Sequence, residues 1–146
     1  MTDNLTEKAR KVISKILYVT IASVSKHGEP WNSPVYSAFD EDYNFFWASD
    51  QNGQHSQNIR ANKNIFLVIY DSTVPAGTGF GVYIKAKAYE LTDEKEITHA
   101  TKYLYAREGR KPRSVKEFQG EYPRRVYKAV PERMGKWRGR CGWELY

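Results

Sequence analysis

The sequence predicts an α+β fold: a mostly antiparallel sheet of six strands, enough to close a small barrel, with flanking helices. Three observations predict it. Six short runs rich in β-branched and aromatic residues are separated by turn chemistry. Apolar residues at helical spacing precede the first run, and a second acidic-capped helical stretch lies between the fifth and sixth. The chain has 146 residues, the length of one domain with one core, so residues 1–146 are expected to form a single domain.

The elements follow in order. Leu5, Ala9, Val12, Ile13 and Ile16 place an amphipathic helix over Asn4 to Leu17, with Asn4 as its cap and Glu7 completing a capping box. Tyr18 to Ser25 is the first strand. Lys26 to Glu29 is a turn in which Gly28 supplies a positive φ. Trp31 to Phe39 is the second strand, and Pro34 marks it as an edge or a bulge. Asp40 to Asn44 turns the chain into Phe45 to Ser49. After a polar loop, His55 to Asn62 is long enough for two helical turns. Ile65 to Tyr70 is nearly all apolar, which suits a strand buried on both faces. A Pro- and Gly-containing loop leads to Phe80–Leu91, a long alternating strand. Thr92 to Arg107 reads as a helix, capped by Thr92, with Asp93, Glu94 and Glu96 at its positive end and Gly109 as its stop. Arg125 to Val130 closes the series, and no structure is assigned beyond Pro131.

Composition narrows the function. The single cysteine, Cys141, makes no internal disulfide and no cysteine-based metal site. With a polar, charged N-terminus, this points to a cytoplasmic protein with no membrane span. The net charge of +6 is uneven: residues 1–101 hold ten Lys/Arg against twelve Asp/Glu, and residues 102–146 hold thirteen against five. A basic third of this kind fits an anionic ligand or simply a solvated face. No GxSxG, Walker A, GxGxxG or HExxH motif is present, and no acid–base pair stands out, so no catalytic residue is assigned.

The segment Ser49 to Asn62 carries most of the chemistry. A polar, Gly-containing loop runs into a helix start bearing His55, Ser56 and Asn58, which are donors at a position suited to phosphate. Arg60 is a further candidate to add positive charge there, although its spacing also allows it to face away. An ordinary polar helix cap has the same appearance. On the second strand, Asn32, Ser33 and Tyr36 sit where an exposed edge offers backbone groups to a flat heterocycle. His27 and His99 read as solvated or boundary residues.

Taken in order, the opening helix, YVTIASVSKHGEPWNSPVYSAFD, FFWAS, HSQNIRANKNIFLVIYDS, GVYIKAKAYEL and RVYKAVPERM resemble the pyridoxamine 5′-phosphate oxidase-like superfamily of FMN-binding split barrels over roughly residues 5–135. The resemblance implies a six-stranded split β-barrel with flanking helices and FMN as cofactor. It implies that Asn32, Ser33, Pro34, Val35 and Tyr36 lie along the isoalloxazine ring, and that Trp47, Ala48 and Ser49 line the ring and ribityl chain. Gln54, His55, Ser56 and Asn58 then fall at the phosphate. It also implies a homodimer with flavin at the interface. Two departures matter. Gln54 and His55 stand where the family often has Arg or Lys, which weakens the grip on a dianion. The tail PERMGKWRGRCGWELY has no histidine, unlike the substrate-binding segment of authentic pyridoxamine-phosphate oxidases.

The expectation is therefore an FMN-dependent oxidoreductase of unidentified substrate. A non-enzymatic flavin carrier or sensor uses the same residues. Deazaflavin or haem on the same barrel has no distinctive feature to support it. A single-stranded nucleic-acid-binding barrel, resting on the basic last third and its interleaved aromatics, is the least favoured alternative.

Overall fold

A computed structural model describes residues 2–132 and 143–145. The order is α1 (Thr2–Lys15), β1 (Tyr18–Val24), β2 (Pro30–Tyr36), β3 (Ala38–Phe39), β4 (Phe45–Asp50), α2 (Gln54–Ala61), β5 (Asn64–Ile69), β6 (Phe80–Glu90), α3 (Glu94–Glu108), a 3₁₀ turn (Val115–Phe118), β7 (Arg124–Pro131) and β8 (Trp143–Leu145). Every strand pairing is antiparallel. The path runs β2-β1-β5-β6-β7-β4-β3, with β8 added to β6. The sheet curls so that β2 comes back beside β4.

The predicted α+β class and curled antiparallel sheet stand. Seven strands lie on the path rather than six, because the expected strand 31–39 breaks at Ser37. Its N–H makes the last rung of the β1–β2 register, donating to the Leu17 carbonyl at 3.0 Å, and beyond it the chain pairs with β4 instead of β1. Pro34 sits on β2, at the end of the strand path, as its missing donor requires. Gly28 takes φ +84° in the first hairpin, as expected.

Alternation sends one face of each strand inward. Val19, Ile21, Val35, Phe45, Trp47, Leu67, Val82, Ile84, Tyr127 and Ala129 fill the barrel, and Ala9 and Ile13 of α1 pack against them. On the outer face, Ile97, Ala100 and Leu104 of α3 cover Ala38, Phe46 and Val126. Asp93, not Thr92, caps α3, because its carboxylate accepts the N–H groups of Lys95 and Glu96. Gly109 ends α3 at φ 66°. Asn4 lies inside α1 rather than capping it. No helix among the described residues is long and apolar enough to cross a membrane.

The C-terminal end of α1 is held from a distance. Arg107 of α3 donates to the carbonyls of Ile13, Ser14 and Ile16, and its guanidinium lies 5.2 Å from the Phe39 ring centroid. It satisfies carbonyls that a helix end leaves free. Arg107→Ala is expected to cost about 2 kcal/mol, the value of charged hydrogen bonds to partly buried acceptors. A lowered urea midpoint at unchanged m-value is the expected observation.

Candidate functional site

The loop between β4 and α2 is organised by Asp50. Its carboxylate accepts the Asn52 N–H at 2.7 Å, and its carbonyl accepts the Gly53 N–H at 3.1 Å and the Ser56 hydroxyl at 2.8 Å. Gly53 is the N-cap of α2 and offers no side chain to the helix start; the first turn also holds no acidic residue. The N–H groups of Gln54, His55 and Ser56 therefore lack intrahelical acceptors and point along the positive end of the helix dipole. This arrangement suits a phosphate.

The side chains expected at the phosphate divide into two sets. Gln54 is exposed and His55 half-buried at the helix start. Ser56 and Asn58 are turned into the barrel, and their polar groups are engaged there. The Asn58 amide donates to the Ser23 hydroxyl at 3.0 Å, and its carbonyl accepts from Gln54 at 2.8 Å. Both residues fasten α2 to the sheet. Of the two readings of Arg60, the structure gives the one facing away: it pairs with Glu90 at 3.0 Å and donates to the Gln51 carbonyl.

Beneath α2 lies an aromatic group. Trp47 is wholly buried and stacks on Tyr127, with centroids 5.6 Å apart and planes 12° apart. The His55 ring meets Tyr127 edge-on at 6.4 Å. Trp47 Nε1 and His55 Nε2 are buried without hydrogen-bond partners among the described residues, which is uncommon in folded proteins. Burial pushes the His55 pKa down, which favours the neutral ring.

Burial raises the Tyr127 hydroxyl to about 12, helped by its bond to the Glu90 carboxylate at 2.9 Å. The unfolded chain loses this proton near pH 10 and the folded chain near 12, so folding stability falls as pH rises between them. The expected slope is about 1.4 kcal/mol per pH unit. Urea unfolding at pH 10 and 11.5 checks it, and Tyr127→Phe is expected to remove this contribution.

The β2 and β4 residues also divide. Asn32, Pro34 and Tyr36 share one face with Ala22, Thr20 and Tyr18 of β1, while Ser33 and Val35 lie on the other with Val35 in the core. The Asn32–Ser33 end pairs with β1 close to Ser23, and so close to α2. Tyr36 lies at the far end, edge-on to Tyr18 at 5.7 Å. On β4, Trp47 and Ser49 face the barrel side, and Ala48 packs outward against the α3 cluster. Ser33, Ser49, Gln54, His55, Ser56 and Asn58 therefore lie on the α2 side of the sheet with Trp47 beneath, whereas Asn32, Pro34 and Tyr36 lie on the opposite face and Ala48 packs outward.

The structure adds Trp31. It is 49% exposed, stands in register with Ser23, and donates from Nε1 to the Ser33 hydroxyl at 2.8 Å. Its register partner Ser23 holds Asn58 of α2, and a large exposed indole fixed by a hydrogen bond is a ready platform for a planar ligand. A tryptophan directly after the hairpin proline was the available signal in the sequence.

Comparison with known proteins agrees with this architecture. No curated protein sequence matches the chain. Among solved structures, a candidate 5-nitroimidazole antibiotic resistance protein from Bacteroides thetaiotaomicron shares the fold, at 13% identity and TM-score 0.71, covering 87% of this chain and 80% of that one. The haem storage protein HutZ from Vibrio cholerae is similar at 14% identity and TM-score 0.67, covering 89% and 92%. A FAD-binding protein from Mesorhizobium loti is similar at 19% identity and TM-score 0.63, covering 87% and 89%. At these identities the likeness is one of fold. The sequence profile described as pyridoxamine 5′-phosphate oxidase matches residues 5–138, nearly the whole described chain, and the protein belongs to that family.

Proposed function

We propose that the chain binds FMN and acts as an FMN-dependent oxidoreductase. The observation that supports this best is the uncapped start of α2, whose first three amides lack intrahelical acceptors, on a helix tied through Asn58 to Ser23, the register partner of the exposed Trp31. The amides of Gln54, His55 and Ser56 hold the phosphate, with Gln54 and neutral His55 as side-chain donors. Ser56 and Asn58 fix the helix in place. Trp31 and the Asn32–Ser33 segment meet the ring system. Once bound, the flavin supplies hydride and electron transfer, and the protein positions and shields it.

A second copy of the chain is part of the proposal. Tyr18, Pro34, Phe66 and Tyr70 leave aromatic and apolar surface exposed on one sheet face, the kind of patch that marks an interface. A mass of twice 17.0 kDa in solution is the expected result.

The phosphate role is tested by titrating FMN against riboflavin. Loss of two charge-assisted bonds weakens riboflavin by about a hundredfold. Equal affinities would remove α2 from the binding site. Oxidation of reduced nicotinamide by the loaded protein, faster than by free FMN, separates an oxidoreductase from a carrier.

A further inference from the structure

α2 is held on the barrel mainly by polar groups. Of its buried residues, Ser56, Asn58 and Ile59, only Ile59 is apolar. With so little apolar burial, hydrogen bonds decide how the helix sits. Two paths of such bonds reach the helix start from one carboxylate oxygen, Oε1 of Glu90, the last residue of β6. On the first path, Oε1 accepts from Arg60 Nη1 at 3.0 Å, and Arg60 Nη2 donates to the carbonyl of Gln51 in the loop before α2. On the second, Oε1 accepts the Tyr127 hydroxyl at 2.9 Å. That hydroxyl also meets the Ser56 hydroxyl, and the Tyr127 ring meets the His55 ring edge-on at 6.4 Å. Ser56 in turn donates to the Asp50 carbonyl.

Both paths end on the segment that presents the free amides. The first fixes the loop at Gln51, and the second fixes the first turn at His55 and Ser56. The Glu90 side chain is 23% exposed, and bonds to its carboxylate are stronger than neutral ones. One guanidinium reaches both Glu90 and Gln51 because its nitrogens form a rigid planar fork; a lysine keeps the charge but has no such fork. Removing Glu90 releases Arg60 and Tyr127 together, so both paths slacken at once. A phosphate held by amides is sensitive to such slack, because its donors must converge on one anion. The ring system, met by β2, is held by neither path.

We propose that Glu90 is a positioning residue for the phosphate-binding amides of α2, acting through Arg60 and Tyr127. This rests on the flavin reading above. The test is titration of the full chain with FMN and with riboflavin, in the wild type and in Glu90→Ala, Glu90→Gln and Arg60→Lys, beside amide hydrogen exchange without flavin. In Glu90→Ala the preference for FMN over riboflavin falls about tenfold, the value of one charge-assisted contact, at unchanged riboflavin Kd. Arg60→Lys lowers the preference severalfold although the charge is kept. The Arg60 side chain is 41% exposed, so this variant folds and carries the test by itself if Glu90→Ala does not. Glu90→Gln also weakens FMN, whereas a carboxylate acting only through its charge would, on removal, tighten a dianion. Exchange of the Gly53 and Gln57 N–H groups, which bond to the Asp50 and Gly53 carbonyls, quickens in Glu90→Ala while that of β5 is unchanged. A role in stability alone lowers the urea midpoint and leaves the FMN preference at its wild-type value. That outcome would overturn the proposal, as would tighter FMN binding by Glu90→Gln. Equal FMN and riboflavin affinities in the wild type would instead remove the phosphate reading itself, and this proposal with it.

Discussion

Gln54→Glu is expected to weaken FMN binding at least tenfold, and Gln54→Lys to tighten it by about the same factor. Gln54 is the first residue of α2, exposed, and adjacent to the free amides of the helix start. A carboxylate there faces a dianionic phosphate; an ammonium adds a charge-assisted contact of about 1.5 kcal/mol or more, slightly over a factor of ten. The family often carries a cation at this place, so the lysine variant restores what this chain lacks. Stability runs the other way. A first-turn carboxylate complements the helix dipole by about 0.3–1 kcal/mol, and lysine opposes it. Both variants lose the Gln54 amide bond to Asn58, which offsets the dipole gain of the glutamate variant and adds to the dipole loss of the lysine one. Opposite signs in binding and stability separate a phosphate effect from misfolding. FMN titration of the two variants, beside their urea midpoints, gives both quantities. Identical Kd values for both would show that the phosphate is held elsewhere.

Trp47→Ala is expected to cost about 3–5 kcal/mol, a large part of the stability of a domain this size. Trp47 has no exposed surface, stacks on Tyr127 and sits at the centre of the barrel cluster. Its removal leaves a cavity between β4 and β7 that their backbone pairing keeps from collapsing. Trp47→Phe is expected to cost far less. Phenylalanine gives up stacking area but also removes the unpartnered buried Nε1–H, whose burial costs about 1–3 kcal/mol. The two variants therefore differ by more than their volumes suggest, and thermal or urea unfolding measures that difference. A phenylalanine variant as damaged as the alanine one would show that Nε1 has a partner.

Much of the fold was legible in the sequence because alternation along β1, β4, β6 and β7 matches the pleat, and the inward positions are those that pack. The break at Ser37 was not legible. Apolar and polar residues continue across it, and sequence spacing does not show that the chain passes from β1 to β4 there. The cap of α3 shifted by one residue because Thr92 and Asp93 are both good caps, and only the closing geometry selects Asp93.

At the site, the sequence located the helix but not its faces. α2 has Ile59 as its main apolar anchor, with polar residues on every side, so periodicity does not separate inward from outward. Ser56 and Asn58 have the composition of phosphate ligands, yet they bond to Asp50 and Ser23. A buried polar residue that fastens a helix and an exposed one that binds an anion are chemically alike. Trp31 was passed over for the opposite reason, since a tryptophan in a strand ordinarily reads as core.

The central claim, that the uncapped start of α2 and the adjoining β2 edge hold FMN, is tested most directly by the visible absorption spectrum of the purified protein after soaking with FMN and desalting. The account predicts oxidised-flavin bands that stay with the protein at one FMN per chain. A protein that emerges colourless, with all FMN in the small-molecule fraction, would contradict it.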